Sequence, residues 1–316
     1  MPRVTSKTPT PPRPHALPPT RRRAVQRRLL DWYDAHAQPF PWRTARDPYA
    51  ALVAAVCAQQ TQMSRVLEVY ARWMEAFPTL AGLAHADRAE VLQTWGRAGY
   101  PRRAVGLHET ARRCMAEHGG ALPRDPEALL ALPGVGPFTA AIVRTFGFGD
   151  DAPAVDTNIV RVVGRLVFGD LQPARDTSRG EIEAATAALF PAGGGARWNP
   201  ALMDYGARVC SPRPHCEVCV VASMCAARPR FAAGEVATPV RAQGAFEGSE
   251  RQARGRLMQV LRDTAGDTVT LAALAKQAGA TTAEERARVR ILLGRLTDEG
   301  LAWTDGRRAG LGQRPS

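Results

Sequence analysis

The sequence predicts an all-α domain of orthogonally packed helices followed by a small winged-helix-like module. Three observations carry that expectation. Between residues 21 and 207 apolar residues recur at helical spacing, and strand-like alternation is scarce. Four of the six cysteines, Cys210, Cys216, Cys219 and Cys225, then fall within sixteen residues as C-x5-C-x2-C-x5-C. After them the composition turns Pro/Gly/Ala-rich over 226–248, and a second helical pattern begins. The expected organisation is a disordered basic arm over 1–20, a helical domain over 21–228 that includes the cysteine loop 210–225, a linker over 229–247 and the module over 248–316.

The arm comes first. Residues 1–30 hold Arg3, Lys7, Arg13, Arg21, Arg22, Arg23, Arg27 and Arg28 and no acid, and the first twenty are rich in proline. Such an arm can track phosphates. It can equally be a solubilising tail or an organellar transit peptide, although prolines interrupt the helix that a transit peptide needs. Over the whole 316-residue chain the net charge is +12, which points to a polyanionic partner, nucleic acid or an acidic membrane surface. Hydrophobic residues make up 45%, enough for a core, and no apolar run approaches membrane-spanning length.

Asp47-Pro48 supplies an N-cap and a first helical proline, with Leu52, Val53 and Val56 following on one face. After Gln59-Gln60-Thr61-Gln62 a second stretch runs through Val66, Leu67, Tyr70, Trp73, Met74 and Phe77 and stops at Pro78. Shorter helices are expected over 87–98, 101–118, 156–168 and 178–190. In the C-terminal module one helix passes through Leu257, Val260 and Leu261, and a short one covers 271–278. A third opens with the capping-box spacing Thr282-x-x-Glu285 and ends at Gly300. Leu301-Ala302-Trp303 and Asp305-Gly306 then predict a short wing hairpin. Modules of this shape either bind DNA or serve as protein-packing units.

Four thiolates on one loop can saturate a tetrahedral metal centre, so the cysteine segment is expected to fold around zinc or an iron–sulfur cube. Disulfides fit badly, because nothing in the chain looks like a secretory signal. Cys57 and Cys114 lie in apolar or helical surroundings and read as packing residues.

Two further segments carry chemistry. In Leu132-Pro133-Gly134-Val135-Gly136-Pro137-Phe138-Thr139-Ala140, glycines permit a tight turn between helices and Pro137 suits a first helical position. Such a hairpin can grip one DNA phosphate through its amides, or it can be an ordinary helix–helix turn. Some twenty residues on, Asp156 in Ala154-Val155-Asp156-Thr157-Asn158 precedes a helix. It reads first as a capping residue and second as a carboxylate that stabilises positive charge or activates water.

Taken in order, the helical domain, the Leu-Pro-Gly-Val-Gly hairpin, the aspartate and the four cysteines resemble the helix–hairpin–helix DNA glycosylases that carry a four-iron, four-sulfur cluster. The resemblance covers about residues 25–228. It is strongest to the adenine DNA glycosylases of the MutY type, through Pro41-Trp42-Arg43, Gln59-Gln60-Thr61-Gln62, Trp95 with Gly99-Tyr100, and Ala201-Leu202-Met203-Asp204-Tyr205-Gly206 leading into Cys210. It implies a monofunctional glycosylase of base-excision repair that acts on double-stranded DNA containing a mispair or lesion. The base implied is adenine opposite 8-oxoguanine or guanine.

By the same resemblance Asp156 supports the oxocarbenium-like sugar and Asn158 orients water. Gln60 and Tyr100 wedge into the base stack, Gly134 and Gly136 form the phosphate-gripping hairpin, and Arg43, Arg213 and His215 contact DNA. Cys210, Cys216, Cys219 and Cys225 hold a [4Fe-4S] cluster. The protein is then expected to be a monomer that avoids membranes and works in the cytoplasm on the nucleoid.

The sequence departs from the family pattern at several places. Phe138 stands where bifunctional endonuclease III carries a nucleophilic lysine, and a phenyl ring cannot form a Schiff base. Ala55 stands four residues before Gln59, where adenine glycosylases carry the Glu that protonates the leaving base. Many of these enzymes also place a Tyr where this chain has Phe138. The first cysteine gap is five residues rather than the usual six. The 91 residues after Cys225 are few for a Nudix-like recognition domain, and the short module resembles the tail of actinobacterial-type members. Alternatives to adenine excision are therefore removal of uracil, thymine or a damaged pyrimidine, or non-catalytic lesion binding.

Overall fold

The computed structural model describes residues 15–237, 244–264 and 267–314, so Arg3, Lys7 and Arg13 of the expected arm lie outside the described residues, as do 238–243 of the expected linker. In chain order the helices are α1 Pro19–His36, α2 Pro48–Ala58, α3 Met63–Ala76, α4 Leu80–His85, α5 Arg88–Trp95, α6 Arg102–Glu117, α7 Pro126–Leu130 and α8 Pro137–Ile142. They continue as α9 Thr157–Val163, α10 Pro173–Asp176, α11 Arg179–Leu189, α12 Gly195–Arg208, α13 Arg228–Ala232, α14 Glu250–Asp263, α15 Leu271–Gln277 and α16 Ala283–Asp298. α8 and α9 each run on into a wider π-helical turn, Val143–Phe148 and Gly164–Phe168. The all-α expectation holds, and among the described residues strands are confined to the C-terminal module.

Packing divides the chain into two units. The first comprises Met1–Arg43 and Gly149–Arg241, and the second Thr44–Phe148 and Ala242–Ser316. The helical domain expected as one block over 21–228 is thus shared between them, and the C-terminal module groups with residues 44–148. Two expected boundaries also move. α1 begins at Pro19, inside the expected arm, because a proline at the first helical turn gives up only an amide that has no helical partner. α13 occupies the start of the expected linker, again opened by a proline, Pro229.

In the first unit α1 and α9 pack against α12. The buried faces supply Val25, Leu29 and Trp32 from α1, Ile159 and Val163 from α9, and Trp198, Leu202 and Tyr205 from α12. The Trp32 and Tyr205 rings meet edge to face at 4.8 Å. α11 carries a capping box, with Glu181 N–H donating to Ser178 and the Glu181 carboxylate accepting from the Ser178 amide.

In the second unit α2 is apolar on every side, and Tyr49 through Cys57 are all buried, so it forms the central helix. Asp47 caps it as expected, accepting from Tyr49 N–H at 2.8 Å. Trp73 and Trp95 are fully buried and meet edge to face at 5.5 Å. Rings of this size cost about 3–5 kcal/mol when truncated to alanine. The Trp73 indole donates to the Tyr49 hydroxyl, which donates to Phe77 O at 2.9 Å, so the aromatic core leaves no donor stranded here. Cys57 and Cys114 are buried, and burial pushes their thiols up to about 12 and about 11, in keeping with packing roles.

The C-terminal module has the expected helices and wing. Thr282 and Glu285 form the capping box at the start of α16. Strands β1 Val269–Thr270, β2 Ala302–Thr304 and β3 Arg308–Leu311 form an antiparallel sheet in the order β1-β3-β2. The turn between β2 and β3 is held by Asp305 Oδ1, which accepts from the amides of Arg307 and Arg308 at 2.9 and 2.7 Å. The two-residue strand β1 is too short to leave an alternation signal in sequence. The module packs α14 and β3 onto α5, and Arg97 Nε donates to Gln259 Oε1 at 2.8 Å across that contact.

Candidate active site and cysteine loop

In the first unit Asp156 is the N-cap of α9. Its Oδ1 accepts from Ile159 N–H at 2.7 Å and its Oδ2 accepts from Asn158 Nδ2 at 2.9 Å. The capping reading is therefore met, and the second carboxylate oxygen is held by Asn158. Asp156 is only half-buried, leaving it open to a ligand, yet desolvation by its surroundings raises its pKa above the ordinary Asp value. The Ile159 and Asn158 hydrogen bonds and the Arg161 charge pull the other way.

Asn158, expected to orient water, is engaged at both ends of its side chain. Its Nδ2 donates to Asp156 Oδ2, and its Oδ1 accepts from Arg161 Nη2 at 2.7 Å. Arg161 extends the chain of contacts, donating through Nε to Cys210 O and through Nη2 to Gly206 O, each at 2.7 Å. α12 can approach α9 this closely because residue 206 is glycine. A Cβ there would lie 2.7 Å from the Asn158 Cβ. One arginine thereby joins the aspartate's neighbour to the first residue of the cysteine loop.

That loop leaves α12 at Val209. Cys210 Sγ lies 3.6 Å from Arg165 Nη1, Cys219 Sγ accepts from the Tyr205 hydroxyl at 3.1 Å, and the Cys225 thiol lies 3.5 Å from Arg165 O. Arg165 is fully buried and also donates to Ser211 O at 2.6 Å, Pro212 O at 3.1 Å and Leu171 O at 3.1 Å, so it scaffolds the loop from beneath. Burial raises the pKa of Cys210 and Cys216, and lifts Cys225 to about 11. Arg161 and Arg165 offset part of that rise at Cys210, and Arg228 does so at Cys216.

Among the described residues no three His, Cys, Asp or Glu side chains converge on a single ion. One zinc would need its sulfurs about 2.3 Å from a common point. A cube binds each thiolate at a separate iron and asks for a wider set. Four cysteines on one loop are the donor type and number that a metal ion or an iron–sulfur cluster takes. Arg213 and His215 are exposed at the tip of the loop, with His215 Nδ1 3.4 Å from Glu217.

Arg43, expected at the DNA, is paired within the protein. Its Nη1 and Nη2 donate to Asp204 Oδ2 and Oδ1 at 2.8 and 2.7 Å, and it lies 4.7 Å from the Phe40 ring centroid. With side-chain exposures of 10% and 12%, this bidentate pair is a strut between the Pro41–Arg43 turn and α12.

In the second unit the hairpin between α7 and α8 has Gly134 at φ +75° and Gly136 as the α8 N-cap. Only a residue without a Cβ sits comfortably at that φ, and Gly134 also faces the α6 backbone at Gly106. Thr110 Oγ1 donates to Pro133 O at 2.7 Å and fixes the turn, leaving Gly134 exposed. Gln60 is exposed and Tyr100 is 49% exposed, each on a loop at the end of a buried helix. Ala55 is buried in α2, one turn before Gln59, whose Nε2 lies 3.5 Å from Thr139 Oγ1 beside Phe138. No acid from α2 faces this region.

Two features escaped the sequence reading. The chain has two lysines, Lys7 and Lys276, against forty arginines, so the helical region holds no lysine that could form a Schiff base. A count by residue type shows this directly. The arginine struts Arg43, Arg103, Arg161 and Arg165 gave no local signal, because their partners lie up to 161 residues away.

A family profile of HhH-GPD superfamily base excision DNA repair proteins matches residues 53–187. The adenine DNA glycosylase of Mycolicibacterium smegmatis is 40% identical over 238 residues, covering 75% of this chain and 80% of that protein. The thymine/uracil-DNA glycosylase of Methanothermobacter thermautotrophicus is 32% identical over 199 residues, covering 62% of this chain and 90% of its own. Among solved structures, an endonuclease III trapped as a covalent intermediate on DNA superposes with a TM-score of 0.58 at 25% identity, over 67% of this chain and 98% of its own. With the aspartate-capped α9, the glycine hairpin and the four-cysteine loop all in the expected order, the chain belongs to the HhH-GPD superfamily of base excision DNA repair proteins.

Proposed function

We propose that the protein is a monofunctional DNA N-glycosylase that hydrolyses the bond between deoxyribose and adenine, with 8-oxoguanine or guanine opposite. The observation that carries the chemistry is Asp156, a half-buried carboxylate held by Ile159 N–H and Asn158. As the C1′–N bond breaks, its electron pair leaves with the base and positive charge develops on the sugar. A fixed carboxylate stabilises that charge, and water adds at C1′. Phe138 and the lack of lysine in the helical region support hydrolysis without strand cleavage. The adenine DNA glycosylase relatives support the choice of base.

A second reading, release of thymine, uracil or a damaged pyrimidine, is favoured by one specific observation. Ala55 and Phe138 leave no acid at the position from which a departing adenine would be protonated. Excision should be measured on a panel of mispairs and damaged bases, with and without alkali. Adenine release that needs alkali for strand cleavage is the expected result. Release confined to pyrimidines supports the second reading, and binding without release identifies a lesion-binding protein.

The hairpin at Gly134 and Gly136, the loops at Gln60 and Tyr100 and the exposed Arg213 and His215 supply the contacts to double-stranded DNA in this reading. The protein acts as a monomer on the nucleoid. Among the described residues no helix is long and apolar enough to cross a membrane. Cys210, Cys216, Cys219 and Cys225 hold a [4Fe-4S] cluster that shapes the DNA-facing loop and takes no part in hydrolysis. Purified protein is expected to be brown, with about four iron atoms and matching acid-labile sulfide per chain. One equivalent of zinc, with no visible absorbance, would overturn this assignment.

A further inference from the structure

Arg103, at the start of α6, reaches two loops at once. Its Nη1 donates to Val56 O, Cys57 O and Gln59 O at 2.9, 3.2 and 2.6 Å, and its Nη2 to Ala98 O and Gly99 O at 3.2 Å each. Both nitrogens lie 3.4 Å from Thr61 Oγ1. The guanidinium is 5.0 Å from the Trp95 ring centroid and 5.4 Å from that of Tyr100.

Val56 and Cys57 lie in the last turn of α2, where the carbonyls lack regular helical partners. Gln60 follows as a left-handed residue at φ 53°, and Gln59 N–H donates to Val56 O at 3.4 Å. The guanidinium adds to that closure, at the negative end of the helix dipole. Its other face fixes the Ala98–Gly99 turn, which also accepts from the Trp95 indole at 2.8 Å.

Both loops are strained. Among the described residues, Gln60 (φ 53°), Tyr100 (φ 45°) and Arg46 are the non-glycine residues at positive φ. Such conformations persist only where surrounding contacts over-determine them. Arg103 supplies such contacts to both loops at once, beside those of Thr61 Oγ1 to Gln59 O and Trp95 Nε1 to Gly99 O, while Gln60 and Tyr100 remain exposed.

We propose that Arg103 is a positioning residue that locks the Gln60 and Tyr100 loops into the shape that opens the base stack. This rests on the reading above that both side chains wedge into DNA. A lysine cannot replace it, because one ammonium offers no planar fork to carbonyls on two loops.

The test uses the full chain in an Asp156→Asn background, bound at saturation to duplexes with 2-aminopurine beside the target adenine. Unstacking on binding raises the fluorescence. Arg103→Lys and Arg103→Ala are expected to lose most of that rise. In the Asp156 background they should slow single-turnover excision by about 10²-fold. Affinity for undamaged duplex should change by less than about threefold, since phosphate contacts are kept. Circular dichroism and melting identify the folded variants and set the working temperature below their transitions, where a purely stabilising arginine would leave the fluorescence intact. A full fluorescence rise in both folded variants overturns the proposal. Gln60→Ala and Tyr100→Ala separate the two levels. If these keep the full rise, the wedge reading itself fails. If they lose it while the Arg103 variants keep it, the role of Arg103 alone fails.

Discussion

Asp156→Asn is expected to remove base release, by about 10³-fold or more, while leaving DNA affinity within about threefold of the parent. The asymmetry follows from what the side chain does. Asparagine caps a helix as well as aspartate, so α9 keeps its Ile159 contact and the fold its α9–α12 packing. What disappears is the negative charge facing a sugar that turns positive as the bond breaks. Under the proposed function, affinity comes from phosphate contacts elsewhere and does not pass through this residue.

The same substitution has a predictable effect on stability. Burial raises the Asp156 pKa in the folded state, so the ionised carboxylate costs folding free energy relative to the unfolded chain. That cost is absent below the ordinary carboxylate range and complete above the raised folded value. Asp156→Asn should therefore melt at or above the parent temperature at neutral pH, with the advantage fading on acidification through that window. Activity of the parent should fall over the same window as the carboxylate takes up its proton. Unchanged single-turnover rates in a folded Asp156→Asn protein would remove Asp156 from the chemistry, and with it the glycosylase mechanism.

How much of this was legible in the sequence differs by element. Caps and turns were legible, because their partners are near neighbours. Asp47, Thr282 with Glu285, Asp305-Gly306 and the Gly134–Gly136 hairpin all took the expected forms. The division into units was not, because it depends on which helices bury against which. The chain leaves the first unit at Arg43 and returns at Gly149, with no break in composition at either point. The partners of Arg43 are hidden for a related reason, because Asp204, which meets both arms of its fork, lies far along the chain. The contacts of Asn158 with Asp156 and Arg161 likewise appear only once α9 is folded. Local patterns identify residue types suited to a task, whereas engagement by a distant partner decides whether they are free to perform it.

Ala55→Glu is expected to raise adenine excision by about 10²-fold or more, because it supplies the proton donor that α2 lacks. Adenine leaves poorly as an anion and much better when a ring nitrogen is protonated as the bond breaks. Ala55 is 4% exposed and lies within the buried run Tyr49–Cys57. A carboxyl placed there would be desolvated, its pKa would rise, and it would still hold its proton near neutral pH, as a general acid must. The insertion should cost about 1–3 kcal/mol of stability through crowding of α2, so rates belong well below the melting transition. The signature is a new alkaline limb in the pH profile of adenine release, set by the ionisation of the introduced Glu. Release of thymine or uracil should not gain, since those bases depart as stabilised anions without such a proton. If a folded Ala55→Glu protein shows no gain on adenine opposite either 8-oxoguanine or guanine, the surroundings of α2 are not built for adenine. The Ala-for-Glu exchange would then mark a change of substrate rather than a slower enzyme for the same one.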